Sequence, residues 1–245
     1  MKIVVHGATG MVGSEVIRQA ILDDRITSVV SIVRREGAPE HAKVRHVVLA
    51  DFADYAPIAH ELEGVDACIF CLGIARSDAK NAAEYVRITV DFAVAAATAI
   101  HAASPDARFC FLSAQGADSS EKSRLLYSRM KGKAENTLAP LLGDRLFTFR
   151  PAFIHPVARR ARPRIAERLL GPLFPILYRW FPRGFTNSVE LARAMLDVGV
   201  RGNDKPMLKN VDIRGLVAGI DARARDVGLS KLDTFAGRTH VTRRS

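Results

Sequence analysis

The chain runs from a short apolar segment, Lys2-Ile3-Val4-Val5-His6, straight into Gly7-Ala8-Thr9-Gly10-Met11-Val12-Gly13, where glycine recurs every third residue. A strand that ends in such a loop and reopens as an amphipathic helix restricts the fold severely. Gly7 permits the tight turn out of the strand, Gly10 lets backbone N–H groups approach a pyrophosphate, and Gly13 lets the helix close on the strand. The helix N-terminus then faces the phosphates with the positive end of its dipole, and Thr9, Met11 and Val12 belong to the same cradle. Glycines also punctuate ordinary turns; the strand before and the helix after give these their meaning as a dinucleotide site.

Further strand-like runs fall near Ser28–Val33, Val44–Leu49, Asp66–Leu72, Arg108–Ser113 and Leu146–Arg150, and helical patterns near Met11–Leu22, Ala56–Leu62, 79–103 and 125–142. Runs of Val, Ile and Phe without polar alternation suit strands covered on both faces. The expectation is an α/β fold, a doubly wound parallel sheet of Rossmann type. Residues 1–155 form its dinucleotide-binding domain, 156–230 a small C-terminal substrate or lid lobe packed on it, and 231–245 a loose polar tail. A helix capped by Asn187, with Glu190 three residues on, is expected to support the second lobe.

With 245 residues, 48% hydrophobic and 25% charged, the chain has enough apolar content for a large core. No apolar run reads as long enough to span a bilayer, and the first strand starts at residue 2, so a cytoplasmic protein is expected. Cys68 and Cys71 stand three apart on one strand and point to opposite faces, so neither a metal nor a redox role is expected of them. The net charge of +10 attracts phosphate. Part of it lies between 159 and 183, where Arg159, Arg160, Arg162, Arg164, Arg168, Arg179 and Arg183 are interleaved with Leu, Phe, Tyr and Trp. That stretch reads first as a lobe with solvated arginines, and alternatively as a weak peripheral contact with a membrane. Without a reading motif, charge alone does not make a nucleic-acid binder.

The second strand ends at Arg34-Arg35, where a dinucleotide fold reads the adenosine ribose. An acid there would bond the 2′-hydroxyl of NAD; arginine neutralises the 2′-phosphate, so NADP(H) is expected. Asp51-Phe52, after the third strand, would bracket the adenine. Cys71-Leu72-Gly73 would bring bare backbone close to the cofactor, with Gly73 keeping side chains away. Tyr127 and Lys131, four apart in a helical pattern, share a face, so an ammonium could favour the phenolate and make Tyr127 an acid/base at neutral pH.

Together with Ser113 closing the fifth strand and with Arg150-Pro151, these motifs resemble the short-chain dehydrogenase/reductase superfamily over residues 1–155. The stretch Phe111-Leu112-Ser113-Ala114-Gln115-Gly116-Ala117-Asp118, followed by Tyr127 and Lys131, is similar to the Tat-interacting-protein group of its atypical members. The resemblance implies an NADP(H)-dependent oxidoreductase acting on a small-molecule carbonyl or alcohol. In it Tyr127 exchanges the proton, Ser113 polarises the oxygen and Lys131 holds the nicotinamide ribose. Pro151 and Ala152 would meet the nicotinamide, and a homodimer would form through helices flanking the sheet. Two positions depart from the family pattern: Ala114 replaces the second of its paired serines, and Thr89 stands in the stretch that carries its asparagine. A second class of function therefore stays open, an NADP(H)-binding regulator or assembly protein with little catalysis.

Overall fold

The computed structural model describes residues 1–35, 40–157, 173–181 and 183–226. Seven parallel strands form one sheet in the order β3-β2-β1-β4-β5-β6-β9. They are β1 (Lys2–His6), β2 (Ser28–Val33), β3 (Val44–Val48), β4 (Ala67–Phe70), β5 (Arg108–Leu112), β6 (Leu146–Arg150) and β9 (Met207–Lys209). The first six have the order of a doubly wound dinucleotide fold, whose switch point lies between β1 and β4. The expected fold class is the one the chain adopts.

Alternation along the buried strands divides the core. Ile3 and Val5 of β1 face one apolar layer with α1 (Met11–Leu22), α5 (Ser188–Arg201) and α6 (Asn210–Asp226). Val4 faces the other layer, beneath α2 (Ala82–Ala103) and α3 (Leu126–Leu142). Cys68 lies in the second layer while Cys71 packs against the first, as residues three apart on a strand must.

The short helix expected at Ala56–Leu62 is present as a 3₁₀ helix, with Pro57 in its first turn. Other expectations need correction. Residues 82–103 form one helix that is long and apolar enough, by length and composition, to cross a membrane. Glu84, Arg87 and Asp91 interrupt the apolar run in sequence, but the helix continues through a π turn at Arg87–Asp91 and buries Tyr85, Val90, Ala93, Ala96, Ala97 and Ile100 in the core. The helix after Asn187, expected in a second lobe, instead buries Leu191, Ala192 and Met195 in the core layer shared with α1. Its cap is half a capping box: Glu190 N–H donates to Asn187 Oδ1 at 2.9 Å, while the Glu190 carboxylate turns to Tyr178 and Thr186. Short strands β7 (Phe153–His155) and β8 (Phe185–Asn187) pair in parallel, with α4 (Phe174–Trp180) between them in sequence. The arginines of 159–168 and the tail 231–245 lie outside the described residues.

His6, completely buried at the end of β1, shares a 2.8 Å hydrogen bond between its Nε2 and the Tyr55 hydroxyl and packs edge-on against Phe52 and tilted against Tyr55 and Phe70. Burial disfavours the imidazolium and pulls its pKa down to about 3. Between pH 6.5 and 3 the unfolded chain takes up a proton there that the folded chain refuses. Stability is then expected to fall with acidification by about 1.4 kcal/mol per pH unit from this group alone. Denaturant titrations of wild type and His6→Gln across that window should show a shallower slope in the variant; equal slopes would exclude His6 as the cause.

Candidate functional site at the C-terminal edge of the sheet

Gly7 has φ of 77°, and a Cβ there would lie 2.8 Å from the backbone of Cys71 and Leu72. At Gly13 a Cβ would come within 2.1 Å of Gly7 O. Backbone therefore packs on backbone on both sides of the loop, and Gly10 N–H closes the turn onto Gly7 O at 2.9 Å. Gly10 starts α1 with no side-chain cap, and the first turn holds no acid. The N–H groups of that turn have no intrahelical acceptor and point outward at a positive helix end. Such a cradle fits a pyrophosphate. Thr9 and Gly10 are exposed, Met11 is half-buried and Val12 is buried.

The other expected cofactor positions follow the C-terminal ends of their strands. Arg34 and Arg35 are exposed just beyond β2. Asp51 is also exposed, held by Arg87 through two contacts of 2.9 Å. Phe52 turns inward against His6 and Phe92, so its ring is core rather than one side of an adenine clamp. Cys71 N–H donates to His6 O at 3.0 Å, which zips β4 to β1 at the switch point. Burial pushes its thiol up to about 12, so it stays protonated at neutral pH. A Cβ on Gly73 would meet open space. Pro151 is buried, its carbonyl accepting from Gln115 N–H at 2.9 Å, and Ala152 N–H donates to Asn210 Oδ1 at 3.2 Å.

Helix α3 carries Tyr127 and Lys131 to the same edge, but they are not coupled as the spacing predicts. Lys131 reaches under the end of β5, donating from Nζ to Leu112 O at 2.9 Å and lying 5.1 Å from the Phe111 ring. Burial pulls its ammonium down to about 8, opposed by the negative charge of Glu135 and by Cys71. Tyr127 is 40% exposed. Burial of its oxygen, and then Tyr85 nearby, push the phenol up to about 12, where an acting ammonium would have lowered it. Tyr127 is thus a neutral phenol at pH 7.

Ser113 is buried, and its hydroxyl donates to Glu135. Glu135 is also bound by both Nε and Nη2 of Arg150, and Arg150 Nη2 further donates to Ser119 Oγ at 2.9 Å. Ser113 therefore joins a buried charged network instead of presenting its hydroxyl to a substrate. That network ties β5, α3, β6 and the loop before α3 together. Gly132 makes the fit possible, because a Cβ there would stand 1.8 Å from Asp118 O.

Glu135 and Gly132 went unread in the sequence, although both left a signal. Glu135 lies four residues beyond Lys131, on the stripe begun by Tyr127. Gly132 is a glycine inside a helical pattern, a mark of close backbone approach. Gln115 is a third unread position: it is exposed two residues past Ser113 and lines a cleft of about 560 Å³ with Leu177, Trp180, Phe181 and Phe185.

A family model described as NAD(P)H-binding matches residues 7–140, from the first cradle glycine to near the end of α3. The chain belongs to that family. It is 30% identical over 196 residues to Protein HTATIP2 of Rattus norvegicus, covering 79% of this chain and 78% of the relative. Protein FMP52, mitochondrial, of Chaetomium globosum is 27% identical over 186 residues, 76% of this chain and 78% of the relative. The crystal structure of Gre2 from Candida albicans in complex with NADPH superposes with a TM-score of 0.64 at 12% identity, over 85% of this chain and 78% of that one, a likeness of fold. The expected kinship holds: this is an atypical short-chain dehydrogenase/reductase-type protein with a nicotinamide dinucleotide cofactor.

Proposed function

We propose that the chain is an NADP(H)-dependent oxidoreductase that reduces a carbonyl compound to its alcohol. The observation that carries this reading is Tyr127: a partly exposed phenol, protonated at neutral pH, one turn from the half-buried Lys131 at the edge where the glycine cradle and the Cys71–Leu72 backbone meet. When bound, the dihydronicotinamide supplies a hydride to the carbonyl carbon. Tyr127 hands its proton to the oxygen, and a phenol near pKa 12 is a donor suited to the strongly basic alkoxide that receives it. Lys131, anchored at Leu112 O, would hold the nicotinamide ribose, and α1 the pyrophosphate. Arg34 and Arg35 supply two positive charges at the end of β2, where the 2′-phosphate would lie, which supports NADP(H) over NAD(H).

NADPH oxidation across a panel of carbonyl compounds, wild type against Tyr127→Phe, tests the reaction. Turnover should fall on the order of a hundredfold in the variant with NADPH affinity kept. Cofactor-binding regulation without turnover is the second reading, favoured by the engagement of the Ser113 hydroxyl with Glu135 beside an alanine. It would prevail if no compound separates the two proteins while both bind NADPH. Arg34→Ala should weaken NADPH roughly tenfold and leave NADH nearly unchanged, from loss of one charge-assisted contact. Equal losses in a binding titration would refute the 2′-phosphate assignment.

A further inference from the structure

We infer that the cleft beside Gln115 holds the apolar body of a medium-chain or similarly bulky carbonyl compound, and that the Gln115 amide donates to its oxygen; this rests on the reductase reading above. At about 560 Å³ the cleft lies in the range of small-molecule sites. Its walls are Leu177, Trp180, Phe181 and Phe185, with exposed Arg183 at the rim. Trp180 and Phe181 leave 72% and 58% of their surface to solvent, so their rings are open to an apolar ligand.

The wall is fixed in place. Tyr178, in the same short helix, donates its hydroxyl to Glu190 of α5, its carbonyl accepts from Arg214 of α6 at 2.8 Å, and the Arg214 guanidinium lies 3.8 Å from its ring centroid. Phe174 at the start of the helix stacks on His155 of β7 at 4.1 Å. These contacts turn the apolar side of α4 toward Gln115. Gln115 in turn is set at the chemical edge by its N–H bond to Pro151 O and by its place three residues after Leu112, whose carbonyl anchors Lys131.

Gln115 also answers a need the site leaves open. A second donor at the carbonyl oxygen, beside the proton-transferring phenol, stabilises the charge that develops there. The Ser113 hydroxyl donates to Glu135, the Ala114 side chain carries no donor, and Gln115 is the next side chain along and opens into the cleft. The polar group at the head and the aromatic wall beyond it select a substrate with one carbonyl and a long or broad apolar remainder.

Trp180 is the single tryptophan of the chain, so its fluorescence reports on this cleft alone. With NADP⁺ present, which cannot reduce a ketone, the methyl ketones butanone, octanone and undecanone can be titrated without turnover. Undecanone should shift the emission to the blue and butanone should not, with affinity rising about two- to fourfold per added methylene. Gln115→Leu should keep the blue shift, weaken undecanone roughly tenfold, and lower kcat/KM with NADPH on the order of a hundredfold. Turnover of ketones with no emission change would place the substrate elsewhere and overturn the inference. So would an unchanged Gln115→Leu, or a blue shift given by phosphatidylserine vesicles and by no ketone, which would make the patch a lipid contact. An undecanone-induced shift without turnover of any carbonyl compound would uphold the cleft and sink the reductase reading, so the two failures are distinguishable.

Discussion

Gly13→Ala is expected to abolish measurable NADPH binding, a loss of at least a hundredfold, and to destabilise the fold by roughly 3 kcal/mol. The added Cβ would sit 2.1 Å from Gly7 O, 2.6 Å from Gly7 C and 3.0 Å from Ala8 N. All three are backbone atoms of the loop after β1, packed against the Cys71–Leu72 backbone at Gly7, so no rotamer change relieves the overlap. The helix must withdraw, and with it go the Gly10 to Gly7 hydrogen bond and the outward fan of N–H groups. Gly73→Ala is the matched control: its Cβ meets nothing within 4 Å, so its unfolding midpoint should match wild type. Calorimetric titration with NADPH and urea unfolding read both quantities. Wild-type affinity in Gly13→Ala would show that α1 can move without harm, and the cradle assignment would fail.

The second large effect is expected at a residue far from the glycine loop. Glu135→Ala should cost about 3–5 kcal/mol, the typical result of stripping one partner from a buried ion pair. Arg150 would remain with only 12% of its side chain exposed and no carboxylate, and Ser113 would lose its acceptor. Lys131 would lose the negative charge that sustains its ammonium, moving its pKa further below 8. The double variant Glu135→Met with Arg150→Met should be milder than the single change, because no charge is left buried alone. Urea unfolding of the three variants decides the matter; a double variant as unstable as Glu135→Ala would mean that packing, not charge, is what Glu135 supplies.

The Glu135 network also shows where sequence reasoning stopped. Tyr127 and Lys131 were legible as a pair because helix geometry is local: four residues return a side chain to the same face whatever surrounds it. Whether the ammonium then acts on the phenol depends on contacts from elsewhere. Leu112 of β5 supplies a carbonyl that captures Lys131, and burial, with Tyr85 of α2 second, pushes the phenol the other way. Ser113 is similar. Its place at the end of a buried strand follows from the apolar run before it, but its hydroxyl answers to a carboxylate 22 residues away in sequence. The helix at 82–103 is legible in the sequence, but the charges in the linear run hide its apolar length; wound into a helix, Arg87 turns outward to Asp51 while Tyr85 and Val90 face the core.

The sequence by itself determined the α/β alternation, the parallel sheet and the position of the cradle. Each rests on a local rule: period two or 3.6, unbroken apolar strands, and a turn that admits only glycine. Tertiary structure alone decided that Gly13 must be glycine because of Gly7 O, that Lys131 bonds a strand end, that Ser113 belongs to an ion-pair network, and that α5 joins the main core. These depend on which distant segments meet at the C-terminal edge of the sheet. Burial there sets the protonation of Tyr127, Lys131 and Cys71, a quantity no spacing encodes.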